Sequence, residues 1–178
     1  INPYDQFTWL LEVFPAIIGM IILVSTYRRF KFTTLGYLLI AVHMAILMVG
    51  GHYTYAKVPL FDWIKDIFGF SRNHYDRVGH FAQGFFPAIL TREILLRKSP
   101  LKKGGWLFFI VVSICLAISS FYELTEWWVS VATGTAADAF LGTQGDVWDT
   151  QWDMFLALCG AVISLLLLSK LHDRLLRK

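Results

Sequence analysis

Six acidic or histidine residues recur at helical spacing close to one end of long apolar stretches. They are Asp76, His80, Glu123, Glu126, Asp149 and Asp153. Side chains three or four residues apart lie on the same face of a helix. An ionisable group inside a membrane costs on the order of 2.5–3.5 kcal/mol at mid-bilayer, so such groups face the protein interior, pair, or coordinate an ion. We therefore expect these side chains to converge.

The donor types predict a divalent metal site. Its predicted ligands are Asp76, His80, Glu123, Asp149 and Asp153. Carboxylate and imidazole donors together suit Zn²⁺, Mn²⁺ or Mg²⁺. The cysteines, Cys115 and Cys159, lie inside apolar stretches, where cysteine behaves as a small hydrophobe. Few cationic side chains accompany these carboxylates, and their mutual repulsion favours a bound cation or shared protons.

Two neighbouring residues give this predicted site a chemical role. Glu126 would act as a general base on a metal-bound water, and Arg77 would hold a phosphate group. Together they predict a metal-dependent membrane enzyme acting on an envelope lipid or a lipid-linked phosphate. No known nucleophile or phosphatase signature accompanies them.

Two other functions fit the same residues. The first is non-catalytic binding or transport of a cation or small molecule, although a transporter is expected to show internal repeats or broken helices. The second is a structural ion network in which His80 is a core histidine bonded to an acid. In that case Asp146 and Asp149 would serve as helix N-caps.

The elements that must position these residues are membrane-spanning helices. Hydrophobic residues make up 56% of the 178-residue chain and charged residues 16%, below the roughly 25% of soluble domains. A helix needs about 20 mostly apolar residues to cross a bilayer. Five stretches fit this length, at about 8–27, 33–51, 74–96, 105–128 and 147–171. We predict an all-α polytopic bundle, a single domain over 1–178, with a short amphipathic interfacial helix within 57–73.

The loops predict the orientation of the bundle. Basic residues cluster at 28–31, 97–103 and 170–178, and such clusters remain in the cytoplasm. The C-terminus is then cytoplasmic, and the predicted site faces the external, periplasmic side. The basic residues lack the stacking or groove-reading groups of a nucleic-acid interface, so the predicted partners are membrane lipids and no nucleic acid. Because the chain begins at Ile1 and shows an odd number of spans, we expect a further span before it.

Four segments resemble a known family. INPYDQFTWLLEVFPAIIG, NHYDRVGHFAQGFFPAILTRE, SSFYELTEWW and GTQGDVWDTQWDMFLALCGA are similar to the YjdF-like bacterial inner-membrane proteins. The similarity runs along nearly the whole chain. It implies an inner-membrane location and a hydrophobic helix before the INPYD segment. The family is named as a domain of unknown function, so the resemblance implies no reaction.

The same residues also resemble, more distantly, a pattern of the VanZ-like membrane proteins. Those proteins are associated with teicoplanin resistance. Their pattern places Asp-Lys and then His on one helix, which Asp76-Arg77 and His80 match. Glu123 or Glu126 matches the Glu of the next helix. The third element is matched by Asp149 and Asp153, with Met154 and Gly160 loosely in place of its Asn-Gly pair. This resemblance implies a role in the cell envelope or in antibiotic resistance.

Overall fold

The computed structural model describes residues 2–134 and 142–177, and these residues form six α-helices. The helices are α1 Gln6–Thr26, α2 Thr34–His52, α3 Pro59–Phe68, α4 Tyr75–Lys98, α5 Gly105–Thr133 and α6 Asp149–Leu175. Each long helix lies within a few residues of a predicted apolar stretch. The predicted all-α helical bundle is confirmed.

Side-chain caps explain where the first two helices begin. The carboxylate of Asp5 accepts the backbone N–H of Thr8 at 2.7 Å, at the start of α1. The hydroxyl of Thr33 accepts the N–H of Gly36 at 3.2 Å and opens α2 in the same way. Each bond satisfies one of the N–H groups that a helix start leaves unpaired.

Four of the six helices are long and apolar enough to cross a membrane: α1, α2, α5 and α6. Helix α4 is too polar to meet that criterion, but its 24 residues extend about 36 Å. It packs against α2, α5 and α6, and its buried face carries Asp76, His80, Arg92 and Glu93. Because neighbouring helices cover these groups, α4 matches the remaining predicted span, at about 74–96.

Two glycines allow α4 and α6 to approach closely. A Cβ atom on Gly84 would overlap the carbonyl of Ala157, and one on Gly160 would overlap the carbonyl of Phe81. Small residues are expected at such contacts between membrane helices. The close approach places the polar residues of α4 beside those of α6.

Helix α3 is the amphipathic helix that the sequence predicts. Four of its large apolar side chains, Leu60, Trp63, Ile67 and Phe68, are exposed, whereas Phe61 packs against Tyr75. The side-chain amide of Asn73 fastens its start by donating to the Val58 carbonyl at 3.0 Å. An exposed apolar face of this kind suits the membrane interface.

A layer of buried apolar side chains divides the bundle into two polar ends. The fully buried members include Ala88, Ile89, Val111, Cys115 and Ala161. We call the end that contains Glu12, Asp76, Glu123 and Asp153 the acidic end. The opposite end, which contains Lys31, Arg97 and Lys103, is the basic end.

Candidate metal site at the acidic end

Four helices bring carboxylates and one imidazole together at the acidic end. The cluster contains Glu12 from α1, Asp76 and His80 from α4, Glu123 and Glu126 from α5, and Asp149 and Asp153 from α6, all of them buried. Helix α2 contributes no member among the described contacts, since His43 stacks on Phe86 and His52 meets the Tyr53 ring edge-on.

Asp76, His80 and Asp153 form the part of the cluster that could hold an ion. One ligand atom from each lies within 4.8 Å of the other two. The Nε2 atom of His80 is 3.4 Å from Asp76 Oδ1 and 3.8 Å from Asp153 Oδ2. These separations exceed those of good charge-assisted hydrogen bonds. A divalent ion bonded to each atom at about 2.0–2.2 Å would lie between them.

The other ring nitrogen of His80 faces a second pair of oxygens. His80 Nδ1 lies 3.3 Å from Gln83 Oε1 and 3.6 Å from Glu123 Oε1. A neutral imidazole has one N–H group to donate. If Nδ1 carries it, the lone pair of Nε2 points toward Asp76 and Asp153. Metal-binding histidines commonly use this arrangement, donating their other N–H to a carboxylate or carbonyl oxygen.

Of the five predicted ligands, the structure brings three into this group. Glu123 lies on the Nδ1 side of the ring, where it faces the N–H of a metal-binding tautomer. The Asp149 carboxylate contacts Arg72 and lies 2.7 Å from the guanidinium of Arg77. Asp149 therefore belongs to an ion-pair layer beside the group.

Arg77 is occupied by carboxylates. Its guanidinium lies 2.5 Å from Asp153 Oδ1, 2.7 Å from Asp149 Oδ1 and 2.9 Å from Asp146 Oδ2. A phosphate bound to Arg77, as the sequence predicts, must compete with these three acids. Asp153 belongs both to the ion-pair layer and to the group that could hold an ion, because its Oδ1 contacts Arg77 and its Oδ2 faces His80.

Arg72 anchors the segment that leads into α6. It donates to the carbonyls of Gly142 and Thr143 at 3.2 and 3.3 Å, and its guanidinium also contacts Asp76 at 3.1 Å. Asp146 accepts the Trp148 N–H at 2.9 Å just before α6 begins. The N-cap residue of α6 is Trp148, and no side chain among the described residues caps this helix, so the predicted N-capping by Asp146 and Asp149 is wrong. Asp146 instead forms an ion pair with Arg77.

Glu126 is buried, with 8% of its surface exposed. It makes neither a hydrogen bond nor an ion pair with any other residue in the described ranges. Its neighbour Glu12 accepts the Tyr122 hydroxyl at 3.0 Å. An unpaired buried carboxylate beside other carboxylates is unfavourable unless it holds a proton or faces a cation.

The sequence analysis did not identify two tyrosines of this end, Tyr55 and Tyr122. Tyr55 lies in the loop after α2 with a φ of +53°, and its ring fills the space left by Gly50 and Gly79. Burial and the negative charge of Glu12 raise the pKa of Tyr55 well above its usual value. In the sequence both tyrosines resemble ordinary residues of an interfacial aromatic belt.

A second buried network, at the basic end, was also not predicted. Glu93 and His172 have no exposed surface. Glu93 accepts the N–H and the hydroxyl of Thr33, each at 2.9 Å, and lies 2.8 Å from Arg97 and 3.1 Å from His172 Nε2. Arg92 donates to His172 Nδ1 at 2.8 Å.

Asp173 completes the basic-end network. It contacts Arg92 at 2.6 Å and Lys103 at 2.9 Å, so its partners come from other parts of the chain and not from the adjacent Arg174. Each charged group of the network faces a complementary partner.

Two comparisons with known proteins identify relatives of this chain. A sequence family described as a predicted membrane protein (DUF2238) matches residues 1–174. The Escherichia coli (strain K12) inner membrane protein YjdF is 51% identical over 178 residues, which cover all of this chain and 85% of that protein. No solved structure matches. With its apolar helices, this similarity supports a multi-pass protein of the inner membrane. The chain belongs to the DUF2238 family of membrane proteins.

Proposed function

We propose that the acidic end binds a divalent cation through Asp76, His80 and Asp153, and that this cation is the functional centre of the protein. The supporting observation is that His80 directs both ring nitrogens at oxygen atoms from three helices. The Nδ1 atom can carry the single N–H group of a neutral ring and donate it to Gln83 Oε1 or Glu123 Oε1. The other then offers a lone pair to two carboxylates, an arrangement that a cation would stabilise.

The donor set selects the kind of cation. Two carboxylates and one imidazole suit Zn²⁺ or Mn²⁺, and also Mg²⁺ when water completes its shell. Three protein ligands with an open position are typical of catalytic zinc sites, whereas structural zinc sites have four. A centre of this composition can polarise a bound water or a phosphoryl oxygen.

Glu126 supports a hydrolytic role. It is buried beside the three ligands and unpaired among the described residues, so a cation bound to them would favour its ionised form, which can accept a proton from water. The proposed activity is metal-dependent hydrolysis of a lipid-linked phosphate or envelope lipid at the periplasmic face. Since Arg77 already contacts three acids, a phosphate would reach it only by displacing one of them.

Metal content tests the binding proposal. We expect the purified full chain to carry about one divalent ion per molecule, measured by elemental analysis after gel filtration. Asp153→Asn should reduce retention of the ion at least tenfold. The matched control is Asp149→Asn, one turn away on α6, which should keep the ion because Asp149 contacts the arginines. A metal-free, normally folded wild type would contradict the proposal.

Turnover tests the catalytic role separately. Membranes containing the wild type should release phosphate from envelope lipids, whereas Glu126→Gln should lower the rate at least a hundredfold and keep the ion. If metal is retained and neither protein shows turnover, the site binds without catalysis. If the purified wild type carries no metal and Asp153→Asn lowers its stability, the ion network is structural.

A further inference from the structure

Two cavities adjoin one another at the basic end, and neither belongs to the site described above. The first, of about 500 Å³, is lined by Lys31, Arg97, Lys103 and Arg177 together with one acid, Asp173. The excess of positive charge suits an anion. Phe32 lines this cavity and also the next one.

The second cavity is apolar and has a volume of about 470 Å³. Its walls come from α1, α2 and α4, and include Gly19, Ile40, Met44 and Leu90. Helices α1 and α2 are long and apolar enough to cross a membrane. An apolar cavity of this kind excludes water, and within a bilayer its natural content is hydrocarbon.

The cations of the first cavity are not all neutralised by the protein. Arg97 contacts Glu93 and Lys103 contacts Asp173. Within the described residues, Lys31 and Arg177 contact no acid, and Lys31 lies over the ring of Tyr27 at 5.3 Å. Lys31 and Arg177 therefore remain for a ligand's phosphate, and Arg97 and Lys103 line the same cavity.

The aromatic residues between the cavities connect the charged part to the apolar part. The guanidinium of Arg97 lies 4.1 Å from the ring centroid of Phe30, which lines the apolar cavity. Lys98 lines the same cavity close to its basic end. A ligand that enters both cavities would have an anionic head and a hydrocarbon tail.

We propose that the basic end is a binding site for one anionic phospholipid. Its phosphate lies among Lys31, Arg97 and Arg177, and one acyl chain occupies the cavity between α1, α2 and α4. Basic pockets between membrane helices recognise anionic headgroups by this combination of charge and apolar surface. The proposal does not depend on the metal site, because the apolar layer separates the two ends.

Native mass spectrometry of the full chain tests the lipid site. The protein in detergent is mixed with phosphatidylglycerol or with phosphatidylcholine of identical acyl chains. We expect phosphatidylglycerol to be retained at least fivefold more strongly, since ~1 kcal/mol per cation corresponds to about fivefold. Equal retention of the two lipids would overturn the proposal, and so would displacement of the lipid by millimolar inorganic phosphate.

Two variants test the site for the lipid phosphate and the cavity for its acyl chain separately. Lys31→Ser should lower phosphatidylglycerol retention about fivefold, whereas the control Lys65→Ser, on α3, should leave it unchanged. Gly19→Leu should fill part of the apolar cavity and weaken both lipids. The nearest side-chain atom to its new Cβ would be Met44 Cε at 3.8 Å, an ordinary contact, so the helix should fold. Unchanged retention in either variant, with an unchanged melting temperature, would overturn that half of the site.

Discussion

His80 and His172 occupy equivalent positions at the two ends of the bundle, each buried among charged residues of neighbouring helices. Arg92 donates to one nitrogen of His172, and the other nitrogen contacts Glu93, so a neutral ring satisfies both. His80 faces oxygen atoms on both sides at 3.3–3.8 Å. The difference shows that a buried histidine alone does not indicate a functional site. A buried histidine whose partners are not complementary to a neutral ring does, as at His80.

The charge of the surroundings differs in the same way. Among the described residues, the cluster at the acidic end joins seven carboxylates with two arginines. The carboxylates are Glu12, Asp76, Glu123, Glu126, Asp146, Asp149 and Asp153. At the basic end, Glu93 and Asp173 each contact two basic groups. The buried network of Glu93, His172 and Asp173 at the basic end is fully paired, whereas the acidic end is short of positive charge, which a bound cation would supply.

The largest expected effect comes from removing one carboxylate charge at each end. Glu93→Gln should destabilise the protein by about 3 kcal/mol, because it disrupts a fully buried ion-pair network. The matched Glu126→Gln should cost little or stabilise the metal-free protein, since it removes a repelling charge. Unfolding in detergent measures both. Equal losses of stability would contradict the contrast between the two ends.

The second largest effect should come from adding a divalent cation, which we expect to bind at the acidic end. Zn²⁺ or Mn²⁺ at about 100 times its dissociation constant should stabilise the wild type by about 2.7 kcal/mol. His80→Ala should abolish this gain, and a chelator should reverse it in the wild type. Melting curves with and without the ion provide the measurement. If the ion stabilises His80→Ala as much as the wild type, the proposed ligand set is incorrect.

A substitution at the contact between α4 and α6 should affect both ends of the bundle together. Gly84→Ala places a Cβ atom against the Ala157 carbonyl and should cost about 1–3 kcal/mol through overpacking. Its control is Gly105→Ala, where nothing lies within 4 Å of the added atom. Thermal unfolding of the two variants measures the difference. Stability of Gly84→Ala equal to that of the control would show that the helices do not approach this closely.

The smallest effect should come from the cap of α1. Asp5→Ala should cost about 1 kcal/mol, whereas Asp5→Asn should retain most of the stability, because either side chain can accept the Thr8 N–H. That hydrogen bond lowers the pKa of Asp5 below its ordinary 3.8. The charged cap therefore contributes fully above that value and is lost as the pH falls through the lower folded pKa.

Unfolding measured from neutral pH to below pH 4 checks the contribution of the cap. Metal content should remain that of the wild type in both Asp5 variants, because α1 supplies none of the three proposed ligands. A pH-independent difference between Asp5→Ala and the wild type through this range would contradict the assigned cap.

Much of the fold could be predicted because hydrophobic length is a local property of the sequence. All five apolar stretches became helices within a few residues of the predicted limits, and α4 was recognised despite its polar face. The helical spacing of Asp76 and His80 also placed them correctly on one face.

The partners that each polar residue contacts within its end could not be predicted, because they depend on how the helices are rotated relative to one another. Asp149 and Asp153 lie one helical turn apart. Asp149 contacts Arg72 and Arg77, whereas Asp153 contacts Arg77 and also faces His80. Glu93 lies near the end of one predicted span and His172 lies in a basic cluster 79 residues later, so nothing in the sequence joins them. Long-range contacts of this kind leave no local pattern in the sequence.

Anomalous diffraction at the metal absorption edge, from crystals of the full chain grown with Zn²⁺ or Mn²⁺, tests the central claim most directly. The account predicts a single anomalous peak at the acidic end, about 2.0–2.2 Å from His80 Nε2 and from oxygens of Asp76 and Asp153. Crystals that show no peak there, with His80 hydrogen-bonded directly to the two carboxylates, would contradict it.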